Sequence, residues 1–329
     1  MFSGKETGKE AERLYSSLSF LGNSLDYCRD IAPITLQINA LKKEKKAVIL
    51  GHNYMKAEIL AGVADFIGDS LALAKKAKET NAGIIVFCGV HFMAETAKML
   101  SPNKKVLLPD LDAGCSLAES ITAEDVKKLK QKHPKIPVIT YINSSAEVKA
   151  ESDAICTSAN ALKVIESFPE DKIIFLPDKF MGANLQKQTK KKLILWNGKC
   201  IAHEGFSAGQ LKNYKKKFSG IKIMSHLECK PEVIALSDFA GGTSGMVKYA
   251  EESIAKQFLV VTECGMSDVL KMKFPEKEFI NPCSICPYMK KISLENTLKV
   301  LQEESNEIFV EKEISEKAEK ALKRMLKVK

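Results

Sequence analysis

The sequence predicts an α/β protein of three similar three-layer αβα domains, each with a small parallel sheet, arranged around a pseudo-threefold axis. Three observations carry this expectation. Short apolar, β-branched runs alternate with amphipathic runs of about ten to fifteen residues, which is the pattern of βαβ units. The order of these runs repeats at a period near 86 residues. Three independent markers keep that period: Cys115, Cys200 and Cys286 are 85 and 86 residues apart, His52, Tyr141 and His226 are 89 and 85 apart, and Ser70, Ser158 and Thr243 are 88 and 85 apart.

Each repeat opens with an apolar run ending in polar residues: VILGHNY (48–54), VITYIN (138–143) and IKIMSHLE (221–228). These read as buried strands with functional tips. Next come GDSLALAKKA (68–77), TSANALKVIES (157–167) and GGTSGMVKYAEES (241–253), where Ser or Thr precedes an amphipathic run. They predict helices N-capped at Ser70, Ser158 and Thr243. A second strand follows in GIIVFCG (83–89), KIIFLPD (172–178) and QFLVVTE (257–263), and then a helix over 91–100, 179–188 and 264–273. A third strand closes on cysteine in KKVLLPDLDAGC (104–115), KLILWNGKC (192–200) and KEFINPCSIC (277–286). Another helix starts at Thr122, Ser207 and Ser293, with Asp125, Gln210 and Asn296 three residues on, close to the capping-box pattern.

These repeats divide the chain into an N-terminal extension (1–33), a first domain (34–115, completed by 287–329), a second (116–200) and a third (201–286). Residues 1–33 and 305–329 fall outside the period. The tail ISEKAEKALKRMLKVK (314–329) reads as a basic amphipathic helix that packs on a domain.

Composition narrows the function classes. With 329 residues, 45% hydrophobic and 28% charged, the chain can bury more than one core and is neither disordered nor collagen-like. No apolar run approaches the roughly 18 residues of a spanning helix, and MFSGKETGKE lacks the apolar stretch of a signal peptide, so a cytoplasmic protein without membrane partners is expected. The net charge of +9 is spread along the chain. KKEKK (42–46), KKK (190–192) and KKK (215–217) read as solvated faces, and with one Trp and no nucleic-acid motif, no nucleic-acid partner is expected. Nine cysteines, an odd number, point in a cytoplasmic chain to ligands or catalytic groups rather than to disulfides.

Ligands of parallel sheets bind at the carboxyl ends of strands. Three such domains around one axis would point every tip into one cavity and bring one cysteine from each domain to it. A structural zinc site closes with four ligands, whereas three thiolates on a [4Fe–4S] cluster leave one iron open as a Lewis acid. The bland alternative is three buried cysteines inherited with the repeat. Cys28, Cys88, Cys156, Cys229 and Cys264 do not recur and read as inert, while Cys283 shares a CxxC with Cys286 that suits metal or redox chemistry. The helix starts at Ser70, Ser158 and Thr243 would offer N–H groups and hydroxyls to a small substrate bearing several carboxylates or phosphates. His52, Asn53, Tyr54, Tyr141, Asn143, His226 and Glu228 add donors and acid–base groups. His226 and Glu228 stand at i, i+2, and Glu228 is the base candidate. His91 begins a helix, whereas His133 and His203 have no repeated context and read as surface or structural.

The motifs GHNY (51–54), GDSL (68–71), DAGCSLAES (112–120), YINSSAEVKAESDAICTSANA (141–161), NGKC (197–200), H-x-E-C (226–229), GGTSGM (241–246) and CPYMKKISLE (286–295) together closely resemble the quinolinate synthase family over roughly residues 35–315. The resemblance implies an oxygen-sensitive [4Fe–4S] cluster held by Cys115, Cys200 and Cys286. It implies a transferase of NAD biosynthesis that condenses iminoaspartate, made by an L-aspartate oxidase or dehydrogenase, with dihydroxyacetone phosphate to give quinolinate, phosphate and two waters. It further implies that His52, Ser70, Ser158 and Thr243 hold substrate anions and that Tyr54 assists isomerisation and proton transfer. Tyr141 and Asn143 would orient the intermediate, His226 would bind a carboxylate, and Glu228 would act as general base. Where the family usually has Pro, this chain has Leu227, a change that could loosen the backbone beside Glu228. Where some members carry CxxCxxC, only CxxC stands here, so the resemblance makes Cys286 the ligand and leaves a regulatory disulfide in doubt.

Two other classes stay open at this point. An aconitase-like hydro-lyase would also use three cysteines and an open iron, without a phosphorylated co-substrate. A non-enzymatic, metal-stabilised basic binding module would bind nucleic acid with a steep salt dependence and show no turnover.

Overall fold

The computed structural model describes residues 2–328; residues 1 and 329, at the ends of the expected extension and tail, lie outside the described residues. No helix among them is long and apolar enough to cross a membrane. Contacts divide the chain into two compact units, the first comprising residues up to Ala113 with Cys264–Phe279 and Ile285–Ile308, the second Gly114–Glu263, Ile280–Ser284 and the chain from Phe309 onward.

The first unit holds a parallel sheet of β1 (Ala47–His52), β2 (Phe66–Gly68), β3 (Ile84–Cys88) and β4 (Lys105–Leu107), in the order β2-β1-β3-β4. Its central strands are β-branched and buried almost throughout, as parallel strands covered on both faces must be. The N-terminal extension forms two helices. Gly4–Leu18 starts at a Ser3–Glu6 capping box, and Leu25–Glu44 starts at Ser24. Leu14, Leu18, Cys28 and Ala32 close a small apolar core with Ala57.

The second unit repeats this plan. Strands β5 (Val138–Tyr141), β6 (Ala154–Cys156), β7 (Lys172–Leu176) and β8 (Lys192–Leu195) pair in parallel in the order β6-β5-β7-β8. Strands β9 (Lys222–His226), β10 (Phe239–Gly241) and β11 (Gln257–Val261) pair in parallel in the order β10-β9-β11, and β12 (Glu278–Ile280), whose first two residues are grouped with the first unit, completes the sheet order β10-β9-β11-β12. One strand order thus occurs three times at the expected period. The helix Lys312–Lys327 buries Ala318, Ala321, Leu322 and Met325 and packs on the helix Ala146–Ala150 and on β6, so the amphipathic tail does pack on a folded body.

Each sheet contains a strand that periodicity alone does not reveal. β2, β6 and β10 are three residues long and follow short helices at Ala57–Gly62, Ala146–Ala150 and Pro231–Ile234, too brief to show a period. The three capping boxes at Thr122, Ser207 and Ser293 form as expected. The three other caps need correction. Asp69 caps the helix Ser70–Glu79 by accepting the Ala72 N–H at 2.8 Å, so Ser70 is already the first helical residue. Asn160 and Gly242 hold the cap positions of Ala161–Glu166 and Thr243–Glu252, which leaves Ser158 in the preceding turn and Thr243 as a first helical residue. A carboxylate accepts a backbone N–H more strongly than a hydroxyl does, which accounts for Asp69.

Candidate active site

The carboxyl ends of β5 and β9 in the second unit bring their polar tips together. β9 ends at His226, and a turn closed by the Cys229 N–H donating to the His226 carbonyl at 2.9 Å then presents Glu228. Glu228 is 3% exposed. Its Oε1 accepts the Tyr141 hydroxyl at 2.6 Å and lies 3.5 Å from Asn143 Nδ2 and 3.8 Å from His226 Nδ1. Its Oε2 faces His203 Nδ1 at 2.8 Å. Burial alone would raise its pKa, but the His226 and His203 imidazoles and the Tyr141 hydroxyl outweigh it and hold the carboxyl well below the usual carboxylate range.

Asp178 is the counterpart of this ionised acid. It follows β7, is fully buried, and accepts the Met181 N–H at 2.7 Å through Oδ1. Burial and the Glu228 carboxylate push its pKa well above the ordinary value. The two buried acids are thus driven in opposite directions, Glu228 down and Asp178 up, an arrangement common to acid–base sites. Asp178 Oδ2 and Asn143 Oδ1 are buried without a hydrogen-bond partner. Unmet polar atoms at the ends of β5 and β7 suit a polar ligand or water.

Ser158 and Thr243 belong to the same unit and lie side by side. A Cβ built on Gly242, the residue before Thr243, would collide with the Ser158 hydroxyl. Thr243 is 3% exposed and Ser158 half-buried. In the first unit, β1 ends at His52 and Tyr54 stands in the turn after it; their rings meet edge to face at 4.8 Å, and the Tyr54 N–H lies 3.2 Å from His52 Nδ1. The Lys290 ammonium donates to the Tyr54 carbonyl at 2.6 Å, and Gly265 packs so close that a Cβ there would stand 2.9 Å from the Tyr54 backbone. Ser70 starts its helix at the end of β2, half-buried.

The cysteines sort by environment. Cys28, Cys88, Cys156 and Cys229 are fully buried, and burial pushes Cys88 up to about 12, so these thiols stay protonated. The three periodic cysteines are only partly buried, as is Cys264, and Cys283 is exposed. Cys115 and Cys200 each precede a four-residue helix, Ser116–Glu119 and Ile201–Glu204, at the cap position with no side-chain cap bond. Desolvation, Glu228 and then Cys115 raise the Cys200 thiol well above its ordinary value, which places both sulfurs within electrostatic reach of each other. Cys286 belongs to the first unit.

His203, expected at the surface or in a structural role, is not at the surface. It is 1% exposed, stacks on His226 at 4.8 Å, and its Nδ1 lies 3.1 Å from Cys200 Sγ as well as 2.8 Å from Glu228. Cys200, His203 and Glu228 offer donor atoms within 4.8 Å of one another, enough to hold a cation, though the pairs are already at hydrogen-bond distance. Because His203 has no counterpart in the other repeats, periodicity passed over it; its spacing of three from Cys200 on one helical turn was the available signal. Asp178 and Glu263, both fully buried and 85 residues apart after β7 and β11, are a periodic pair that the reading also missed. Leu227 does not leave the turn loose: its N–H donates to the Gly241 carbonyl at 3.3 Å, a bond proline could not make.

Known proteins resemble this chain along most of its length. The model of the family described as quinolinate synthetase A protein matches residues 36–327. Quinolinate synthase 1 of Mesorhizobium japonicum is 49% identical over 286 residues, covering 87% of this chain and 88% of that protein. Quinolinate synthase of Sinorhizobium medicae is 44% identical over 321 residues, 98% of this chain and 89% of that protein. Quinolinate synthase of Xylella fastidiosa is 48% identical over 288 residues, 88% of this chain and 85% of that protein.

Proposed function

Because the chain belongs to the quinolinate synthetase A family, we propose that it is a quinolinate synthase, condensing iminoaspartate with dihydroxyacetone phosphate to quinolinate, phosphate and two waters. The observation that carries this reading beyond family membership is Glu228: an ionised, buried carboxylate ringed by a phenol and two imidazoles, beside polar atoms that lack partners. Ring formation with loss of two waters requires protons to leave carbon and reach departing oxygens. Glu228 takes the proton as general base once substrate displaces one of its present donors. Tyr141 and Asn143, already aimed at Glu228 Oε1, orient the intermediate. His226 binds a carboxylate, and Tyr54 assists isomerisation and proton transfer. His52, Ser70, Ser158 and Thr243 hold the substrate anions, with the helix starts at Ser70 and Thr243 adding backbone N–H groups.

Cys115, Cys200 and Cys286 are the residues that would hold a [4Fe–4S] cluster, which when bound supplies an open iron acting as Lewis acid. The donor set fits: the three are partly buried, two of them have sulfurs not used in capping, and the cysteines with fully buried thiols lie off the period. The repeats are read as three α/β domains, 34–115 completed by 287–329, 116–200 and 201–286, around a pseudo-threefold axis, with the helix Lys312–Lys327 of the completing segment packed on β6 of the second. The enzyme works in the cytoplasm beside an L-aspartate oxidase or dehydrogenase that supplies iminoaspartate.

Anaerobic purification tests the proposal. The protein is expected to be brown with four irons and to form quinolinate and phosphate in equal amounts. Cys115→Ser, Cys200→Ser and Cys286→Ser should each lose visible absorption and turnover, while Cys28→Ala and Cys88→Ala keep both. An iron-loaded wild type that forms no quinolinate would overturn the function, and full cluster retention in any of the three serine variants would overturn the ligand set.

A further inference from the structure

Glu228 is held through its backbone as well as its carboxylate. Asn184 lies on the helix Lys179–Gln186, which follows β7, and is 2% exposed. Its Nδ2 donates to the Leu227 carbonyl at 2.9 Å and to the Cys229 carbonyl at 2.8 Å. These are the carbonyls on either side of Glu228, so one amide nitrogen uses both of its hydrogens to bracket a single residue. The rest of the bracket is backbone: Cys229 N–H to His226, and Leu227 N–H to Gly241. Asn184 Oδ1, by contrast, is buried with no partner. An unmet buried carbonyl is unfavourable, so the amide is retained for its two donors rather than for its own satisfaction.

We propose that Asn184 is a positioning residue for the reaction, fixing the 226–229 turn so that the Glu228 carboxylate stays aimed at Tyr141 between the two imidazoles. The inference rests on the quinolinate synthase reading, and Asn184 acts only through Glu228. Outer-shell partners of this kind typically change activity by about 10–100-fold when removed. Asn184→Leu keeps the volume and removes both donors; Asn184→Ser keeps one donor and serves if the leucine variant does not fold.

The holoenzyme variants are compared with wild type by hydrogen exchange at residues 227–229, by cluster absorption, and by kcat and KM, alone and in a Glu228→Gln background. Expected are faster exchange confined to the turn, unchanged absorption, a kcat loss of about 10–100-fold with KM nearly unchanged, and no further loss when Glu228 is already Gln. Unchanged exchange at 227–229, or a loss that multiplies with that of Glu228→Gln, would overturn the positioning role. A wild type that forms no quinolinate overturns the function instead, and the exchange result then still decides whether Asn184 holds the turn.

Discussion

His203 Nδ1 stands 2.8 Å from Glu228 Oε2 and 3.1 Å from Cys200 Sγ, so one imidazole joins the base candidate to a cysteine proposed to hold iron. Its other nitrogen, Nε2, is 2.7 Å from Thr262 Oγ1. An N–H on Nδ1 donates to the carboxylate, and Nε2 and the Thr262 hydroxyl share the second hydrogen bond. Thr262 follows β11, so the ends of strands β9 and β11 hold the ring between them.

Replacing His203 should therefore weaken the reaction without removing any group that meets substrate. His203→Gln is expected to lower kcat by about 10–100-fold, the range typical of outer-shell partners. Rates compared at matched iron content check this, and a variant with the wild-type rate would make the His203–Glu228 contact incidental.

Glu228→Gln keeps size and some hydrogen bonding but cannot accept a proton. Its kcat should fall by about 10²–10⁴-fold, the usual cost of losing a general base, with cluster absorption intact. A rate near wild type would move the base role to Tyr54, and loss of the iron absorption would assign Glu228 to holding the site together.

The repeat made most of the fold readable. Strand and helix alternate at a strong period, and capping boxes such as Thr122–Asp125 are local signals that tertiary context did not override. What stayed hidden was short or unrepeated. Strands such as Ala154–Cys156 need a neighbouring strand to exist at all, and Asp69 displaced Ser70 as cap because both are good cap residues in adjacent positions. His203 and Asn184 were missed for a different reason: they act by where β7, β9 and β11 place them, and nothing local to either residue encodes that.

Glu304, in the first unit, offers a stability test that leaves Glu228 and its partners unchanged. It accepts Lys45 at 2.7 Å and Lys105 at 2.6 Å, and these bonds lower its pKa to about 2. A depressed folded value means the contribution is complete above the ordinary value near 4.5 and is lost as pH falls from there through about 2. Glu304→Gln should therefore melt below wild type at neutral pH, with the gap in Tm closing as pH drops through that window and shrinking with added salt. A gap independent of pH would show that the ion pairs contribute nothing.

Gly242 separates crowding from backbone strain. Its φ is −87°, which any residue adopts, so alanine carries no conformational penalty there and slightly restricts the unfolded chain. The added Cβ would nevertheless strike the Ser158 hydroxyl, with Ser158 Cβ at 3.2 Å and the Ala159 nitrogen at 3.6 Å limiting how far Ser158 can turn away. Gly242→Ala should therefore fold with near wild-type Tm and lose the hydrogen bond that Ser158 is proposed to give an anionic substrate. A bond to a charged group contributes about 1.5–3 kcal/mol, so KM should rise roughly tenfold to a hundredfold. Gly83→Ala, where a Cβ meets nothing within 4 Å, is the neutral control. The effect should vanish in a Ser158→Ala background, because the clash has then no hydroxyl to displace. A KM rise that persists there would place the damage at the Thr243 helix start, and an unchanged KM in Gly242→Ala alone would remove Ser158 from the substrate site.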